Sequence, residues 1–282
     1  MREFIKEIMA CPECLSELNY SENLSHCKGC SAEWTIRNNT VYFTEIKGNI
    51  TPDGIGYAKD KAAWSAFKKR NFSFIRSETE DLEKESIILD IGAGPGFFDE
   101  IFYKFDKYLS IDFYHYPNVD IVSNIIEKRI PIRPSSIHCI ILSNVLEHLS
   151  RPEKLLLECS RILKGKGKLI VIVPFMFKLH QEPYDYYRYT HYKLREMFEE
   201  NGFGDIVIKK MGTIVEVLKG IRYEFNKLLK ENSKYPFLLN QFLRIQYHFD
   251  NLINKLFLRM DEEYLTNQPI FPGYSCTARK KS

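Results

Sequence analysis

The chain has 282 residues, of which 44% are hydrophobic and 27% charged, and its net charge is +3. That length bounds it to one large domain, or one large and one small, with enough apolar residues for a sizeable core. The charge is too mild to argue for a nucleic-acid partner by itself. No apolar run reaches the roughly 18–20 residues of a membrane span, and the start, Met1-Arg2-Glu3-Phe4-Ile5-Lys6-Glu7, lacks the apolar centre of a secretory signal. Seven cysteines is an odd number, and four sit in paired C-x-x-C spacing. This usage points to a reducing, cytoplasmic compartment and to metal rather than disulfides.

The pairs are Cys11-Pro12-Glu13-Cys14 and Cys27-Lys28-Gly29-Cys30, twelve residues apart. Each places two thiolates to grip one tetrahedral ion, and together they close a four-cysteine Zn2+ site. With no open position, such an ion is structural. Leu15, Leu18, Tyr20 and Leu24 offer only a small core, so a segment of this size needs a metal to stay folded. His26 adjoins Cys27 as a solvated neighbour. Trp34, Ile36, Val41 and Phe43 alternate as a closing hairpin with Asn38-Asn39 at its turn. The zinc ribbon is therefore expected over residues 1–48. Residues 49–85 begin as a polar linker and become helical, with Trp64, Phe67, Phe72, Phe74 and Ile75 as an apolar stripe. That helix either connects and packs on the main domain or forms a lid over its ligand site.

Ile87, Ile88 and Leu89 form the short apolar run of a buried parallel strand. It leads through Asp90 and Ile91 into Gly92-Ala93-Gly94-Pro95-Gly96, after which helical spacing begins. A strand, a glycine turn and a helix start make the place where an α/β fold holds a nucleotide-like ligand. Asp112 ends a second short strand twenty residues after Gly92. At that spacing a carboxylate accepts hydrogen bonds from both ribose hydroxyls. Residues 119–122 are a third strand and 137–142 a fourth, running into Ser143-Asn144-Val145-Leu146-Glu147-His148-Leu149. A helix starts at Pro152, Gly165-Lys166-Gly167 makes a turn, and a fifth strand runs from Lys168 to Pro174.

The glycine loop, Asp112, Val145-Leu146-Glu147-His148-Leu149 and the segment from Glu158 to Leu169 together resemble class I S-adenosylmethionine-dependent methyltransferases, of the type 11 kind. The resemblance implies an α/β fold: a seven-stranded, mostly parallel Rossmann-like sheet over residues 86–282, preceded here by the ribbon. It implies S-adenosyl-L-methionine along Asp90, Gly92, Ala93, Gly94 and Gly96, with Asp112 on the ribose. Adenine falls near Ser123, Asn124 and Ile125, with the Asn124 amide oxygen where many relatives have an acid. Asn144, nearer the cofactor end, is a further binding candidate. His138 stands where many relatives have Asp. The Glu147-His148 pair stabilises the loop in this family, with a role on the acceptor side as the alternative.

Residues 175–190 are dense in aromatics yet carry His180, Asp185 and Arg188, and they leave the carboxyl end of a strand, where ligands of such sheets sit. Tyr184, Asp185, Tyr187 and Arg188 are candidate acceptor contacts. His180 is either a general base for an acceptor hydroxyl or, with Asp185, the pin that holds Arg188 and folds the loop. The pattern of this loop is similar to a subgroup encoded with bacterial glycan-assembly enzymes. Thr190 caps the next helix. Strands six and seven are expected at residues 205–211 and 271–280, with a helical insertion over about 213–265 whose apolar stripes carry basic flanks. The insertion is a packed subdomain, a membrane-surface contact, a homodimer seam or a cap over the acceptor site. The expected activity is methyl transfer to a hydroxyl of a small-molecule or glycan-precursor acceptor. Two alternatives remain: an RNA base methyltransferase, suggested by the ribbon, and a non-catalytic cofactor-binding partner module.

Overall fold

The structure, a computed structural model, describes residues 1–44, 64–232, 241–246, 248, 249, 252 and 268–282. The polar part of the expected linker and most of the insertion beyond residue 232 lie outside these. The chain opens with a short helix α1 (Glu3–Ile8) and a four-stranded antiparallel meander, β1 (Leu18–Tyr20), β2 (Leu24–Cys27), β3 (Glu33–Arg37) and β4 (Thr40–Tyr42). Asn38 and Asn39 turn the last hairpin with φ of 49° and 68°, the left-handed pair that a two-residue β-turn demands.

Helix α2 (Ala66–Glu78) starts at Ser65, whose Oγ accepts from the Lys68 N–H. It is shorter than its apolar stripe suggested. The main sheet follows: β5 (Ile87–Ile91), β6 (Lys107–Asp112), β7 (Ile121–Val122), β8 (Ile137–Ser143) and β9 (Leu163–Pro174), all parallel. The short helix α3 (Asp99–Phe102) joins β5 to β6, and α4 (Pro152–Ile162) precedes β9. Helix α5 (His191–Glu200), capped by Thr190 through the Lys193 N–H, leads to β10 (Phe203–Met211). Helix α6 (Ile214–Asn232) opens the insertion, and β11 (Gly273–Lys280) slots antiparallel between β9 and β10.

Alternate residues of the central strands face opposite sides, as the period of a strand dictates. Leu89, Leu109, Ile140 and Leu142 join the core that also holds Leu155, Leu156 and Ile162 of α4. Ile88, Cys139, Ile141, Ile170 and Ile172 face the other way, onto Ile75 of α2 and Ile101 and Phe102 of α3. All five residues of β5 are buried, which is why Ile87, Ile88 and Leu89 follow one another without polar alternation.

Two expectations need correction. The sheet is not seven-stranded and mostly parallel; it is a mixed sheet of eleven strands, ordered β1-β2-β3-β4-β7-β6-β5-β8-β9-β11-β10. The seven expected strands are present, and the meander continues them. The reason is that β7 is only two residues long and would leave an open edge. Val41 N–H donates to Asp120 O at 2.9 Å and Phe43 N–H to Val122 O at 2.8 Å, so β4 covers that edge in parallel. Gly165-Lys166-Gly167 is also not a turn before strand five. It lies inside β9 as an irregular stretch, with Lys166 at φ 61°, between the Ile137–Leu163 and Cys139–Lys168 pairings.

In α6 only Val217 is buried, whereas Leu218, Ile221 and Phe225 are exposed. The apolar stripe expected there therefore does not pack on the sheet among the described residues. No helix among the described residues is long and apolar enough to cross a membrane.

Candidate active site

The carboxyl ends of β5, β6 and β8 meet at the glycine loop. Gly92, Gly94 and Gly96 have φ of 73°, 56° and 80°, a region that disfavours any residue with a Cβ. Gly92 is also pressed from above: a Cβ there would lie 2.6 Å from Cγ2 of Val145, just past β8. Its N–H donates to Ile111 O at 2.8 Å, and the Ala93 N–H to the same oxygen at 3.3 Å, which ties the turn to β6.

Asp112, at the end of β6, holds the loop from the other side. Its Oδ2 accepts from the Gly94 N–H and its Oδ1 from the Tyr114 N–H, both at 2.8 Å. The residue is buried, and burial pushes its carboxyl above the usual range against the pull of these N–H groups. Each oxygen keeps a second lone pair, so the carboxylate can still accept from a ligand. Asp90 lies behind the loop instead. It is almost fully buried, accepts from the Tyr108 hydroxyl at 3.3 Å, and is pushed up to about 7, first by burial.

Ser123 is buried, and its Oγ has no hydrogen-bond partner. Asn124 spends its Oδ1 on the Ile126 N–H at 3.2 Å, which closes a local turn. Asn144 ends β8 at φ 57°, with its Nδ2 donating to Ser143 Oγ at 3.3 Å. The glycine loop, Asp112, Ser123 and Asn144 thus stand at the ends of neighbouring strands, where open α/β sheets bind ligands.

The segment after β9 folds on itself through one ion pair. Arg188 binds Asp185 with two nitrogens, at 2.6 and 2.7 Å, and also donates to the carbonyls of Phe177, Lys178 and Tyr187. Asp185 also accepts from the His180 N–H at 2.9 Å, and the Arg188 guanidinium holds its carboxyl at about 2. Both side chains are thereby committed to the loop's own fold. Tyr187 donates to Ser150 O at 3.2 Å, and Tyr189, buried, to Leu146 O at 2.9 Å. The backbone N–H groups of Tyr186 and Tyr187 both reach Glu147 O. The loop is thus laced onto the 3-10 turn Leu146–His148, and Tyr184 stays exposed.

This lacing brings His180 to the adjacent pair Glu147 and His148, from which it is far removed in the sequence. His180 Nε2 lies 3.9 Å and His148 Nε2 3.7 Å from Glu147 Oε1, and the two imidazoles meet edge to face. Glu147 is fully buried, and burial pushes its carboxyl up to about 8. Burial also pulls both imidazoles below their ordinary value. Sequence reasoning had the Glu147-His148 pair only as a loop stabiliser or an acceptor-side element. A charged residue inside the run Val145-Leu146-Glu147-His148-Leu149 was the available signal.

Helix α2, for which a place over the ligand site was one of two expectations, reaches the glycine loop and the loop after β9. The Lys68 ammonium sits 3.1 Å from the ring centre of Phe97 in the glycine loop, and Phe67 stacks on Phe177 at 5.9 Å. A shallow pocket of about 370 Å³, lined by Lys69, Ser73, Phe74 and Met211 among others, contains none of the glycine-loop residues.

At the other end of the sheet the four sulfurs of Cys11, Cys14, Cys27 and Cys30 lie within 4.8 Å of one another. The Gly29 and Cys30 N–H groups both point at Cys27 Sγ, at 3.3 and 3.4 Å.

Residues 89–171 match the family described as methyltransferase domain. The matched stretch runs from within β5 to within β9, the part of the fold that carries the glycine loop, Asp112 and Glu147. It supports S-adenosylmethionine-dependent methyl transfer. A comparison with curated proteins found no match.

Solved structures similar to this chain include a Haemonchus contortus phosphoethanolamine N-methyltransferase 2 bound to phosphomonomethylethanolamine and S-adenosylhomocysteine. It shares 17% identity at a TM-score of 0.47, over 75% of this chain and 52% of that one. The chain therefore spans about half the length of that relative. A SAM-dependent methyltransferase from Archaeoglobus fulgidus shares 19% identity at a TM-score of 0.49, over 76% of this chain and 94% of that one. A sarcosine dimethylglycine methyltransferase from Galdieria sulphuraria, so described provisionally, shares 15% at 0.49, over 76% and 86%.

Proposed function

We propose that the protein transfers a methyl group from S-adenosylmethionine to a hydroxyl of a small-molecule or glycan-precursor acceptor. The observation that carries the donor side is the glycine turn with three left-handed glycines, pinned by a buried carboxylate at the end of the next strand. The fit rests on the turn itself: its three glycines hold positive φ without a Cβ, and Asp112 keeps lone pairs free at its rim. Gly92, Ala93, Gly94 and Gly96 would line the methionine and ribose part of the donor, Asp112 would accept from the ribose, and Ser123 and Asn124 would flank the adenine. When bound, the donor supplies a sulfonium methyl that an acceptor oxygen takes up in one displacement, leaving S-adenosylhomocysteine.

The chain's own contribution is positioning and exclusion of water. Phe177, Tyr184 and Tyr187, exposed on the loop beyond β9, would supply an aromatic wall for a ring-bearing acceptor. The cluster of His180, His148 and Glu147 is the polar end of that wall and would receive the acceptor's proton. Asp185 and Arg188 serve by holding His180 in place. At the far edge of the sheet, Cys11, Cys14, Cys27 and Cys30 would hold a structural zinc ion, for which four clustered thiols are the usual donor set.

The test is transfer of labelled methyl from S-adenosylmethionine into cell fractions separated as small molecules, lipid, polysaccharide and RNA. Label in the small-molecule, lipid or polysaccharide fraction is the expected result. Label in RNA alone would replace this reading with base methylation. Label in no fraction, with donor binding intact, would leave a cofactor-binding partner module.

A further inference from the structure

We propose that Glu147, His148 and His180 form a binding site for one divalent transition-metal ion, held by Nε2 of each imidazole and by the Glu147 carboxylate. None of the comparisons assigns such a site. The three ligand atoms lie within 4.8 Å of one another, and the two nitrogens stand 3.7 and 3.9 Å from the same carboxylate oxygen. Ligands around one tetrahedral ion with bonds of about 2.1 Å are about 3.4 Å apart. A contraction of a few tenths of an ångström on each of those two separations, with a rotation of the partly exposed His180 ring that brings the two nitrogens to the same spacing, would seat the ion.

The hydrogen-bond accounting points the same way. Glu147 is 0% exposed, and neither of its carboxylate oxygens has a hydrogen-bond partner; Nε2 of His148 is likewise buried and without one. Buried polar groups are normally paired, and a buried carboxylate is normally met by a cation or a metal. Arg188, the nearby cation, is spent on Asp185 and on carbonyls of its own loop.

The tautomers complete the argument. His148 Nδ1 lies 2.7 Å from Tyr184 O, and a carbonyl only accepts, so Nδ1 carries the proton. Its Nε2 therefore presents a lone pair to Glu147. His180 Nδ1 lies 3.2 Å from Asp185 Oδ2 and 3.3 Å from Lys178 O, again acceptors. Arg188 Nη2 stands 3.4 Å from that nitrogen but donates to nearer oxygens. His180 Nε2 thus also presents a lone pair. Three lone-pair groups converge with no donor between them. A carbonyl behind one imidazole and a carboxylate behind the other are the outer partners that orient ligating histidines.

Two imidazoles and one carboxylate favour a borderline ion such as Zn2+, Co2+ or Fe2+ over Mg2+ or Ca2+. Three protein ligands leave a coordination position open. His180 belongs to the aromatic loop and is partly exposed, so the open position is reached from the side assigned to the acceptor. This deepens the functional reading and rests on it only there: the ion, rather than a bare imidazole, would bind the acceptor oxygen and ease loss of its proton to solvent. Binding of the ion is measurable without any acceptor.

The full-length protein, chelator-washed and reloaded with a single equivalent of Zn2+, which the four thiolates take first, is shown by metal analysis to hold one zinc and is then titrated with Co2+ by calorimetry and visible absorption. About one Co2+ per chain should bind, without the thiolate charge-transfer band that marks cysteine ligation. Glu147→Gln and His180→Gln, each checked for native circular dichroism, should weaken that binding at least tenfold. His180→Gln alters a loop residue and keeps the test valid if the buried Glu147 variant misfolds. No Co2+ uptake by the zinc-loaded protein, or equal uptake by both variants, overturns the site. S-adenosylmethionine binding is measured on the same samples. Intact donor binding without Co2+ removes the metal and leaves the methyltransferase reading standing; Co2+ binding without donor binding does the reverse.

Discussion

Replacing Asp112 with alanine separates two roles that the structure gives to one carboxylate. The first is internal. Removing the side chain leaves the Gly94 and Tyr114 N–H groups without acceptors that now stand at 2.8 Å. Hydrogen bonds to a charged group contribute about 1.5–3 kcal/mol each. Burial already opposes ionisation of this carboxyl, so part of that gain is offset. The expected loss is about 2–4 kcal/mol, read as a lower urea midpoint. Asp112→Asn keeps one acceptor oxygen and should lose about half as much. The second role is the ribose contact, whose loss should weaken S-adenosylmethionine binding about tenfold, or about 1.4 kcal/mol, by calorimetry. An Asp112→Ala protein that unfolds at the wild-type urea concentration refutes the pinning of the glycine loop. A destabilised protein with unchanged donor affinity refutes the ribose assignment while leaving the pinning intact.

Three other perturbations follow from named contacts. Gly92→Ala forces a Cβ to 2.6 Å from Val145 in a left-handed backbone. The two penalties sum to about 2–4 kcal/mol of stability, and donor binding should fall with it; a wild-type melting temperature would show that the turn has slack. Asp185 has a folded pKa of about 2, below its unfolded value, so its contribution is complete above about pH 4 and is lost as pH falls toward 2. The stability gap between wild type and Asp185→Asn should therefore hold steady above about pH 4 and shrink between about pH 4 and about pH 2, and a gap unchanged across that window would mean the Arg188 pair is not its source. Stripping the cysteine site should release about one zinc per chain and speed hydrogen exchange at the Val41 and Phe43 amides, which bond to β7; unchanged exchange would separate the meander's folding from its metal.

The parts of this molecule that were legible in the sequence are those fixed by local chemistry. The run from Ile87 to Leu89 is apolar because the strand is buried on both faces. The glycines had to stand where φ is positive, Asn38-Asn39 where a tight hairpin turns, and Thr190 where a helix needs an oxygen cap. What escaped were choices made by partners distant in the chain. The pairing of β4 with β7 joins residues eighty apart through backbone groups, which carry no side-chain signature. Gly165 and Gly167 suggested a turn where the chain runs on as a distorted strand, because the same composition serves either. Asp185 and Arg188 have the composition of a binding site, yet their mutual geometry satisfies them internally. Glu147 shows the converse: its neighbours in sequence suggest a packed turn, and only the return of the loop after β9 shows that its carboxylate is left unpaired.

Helix α2 bears on how donor and acceptor sides are kept in register. Within one turn it presents Phe67 to Phe177 of the acceptor loop, Lys68 to Phe97 of the glycine loop, and Arg70 to Glu216 of α6 at 3.1 Å. Ile75, two turns on, is fully buried against the sheet. Burial pulls the Lys68 ammonium down to about 8, so this cation is held against a ring at some cost in hydration. A helix anchored at Ile75 and touching two loops and the start of α6 cannot swing as a free lid without giving up all three contacts. The reading that fits is a bracket: the Ile75 end is fixed, and any opening must occur by fraying from Ser65 toward Asn71. Such fraying would release the Phe67–Phe177 and Lys68–Phe97 contacts together, so the glycine loop and the loop after β9 would loosen at once.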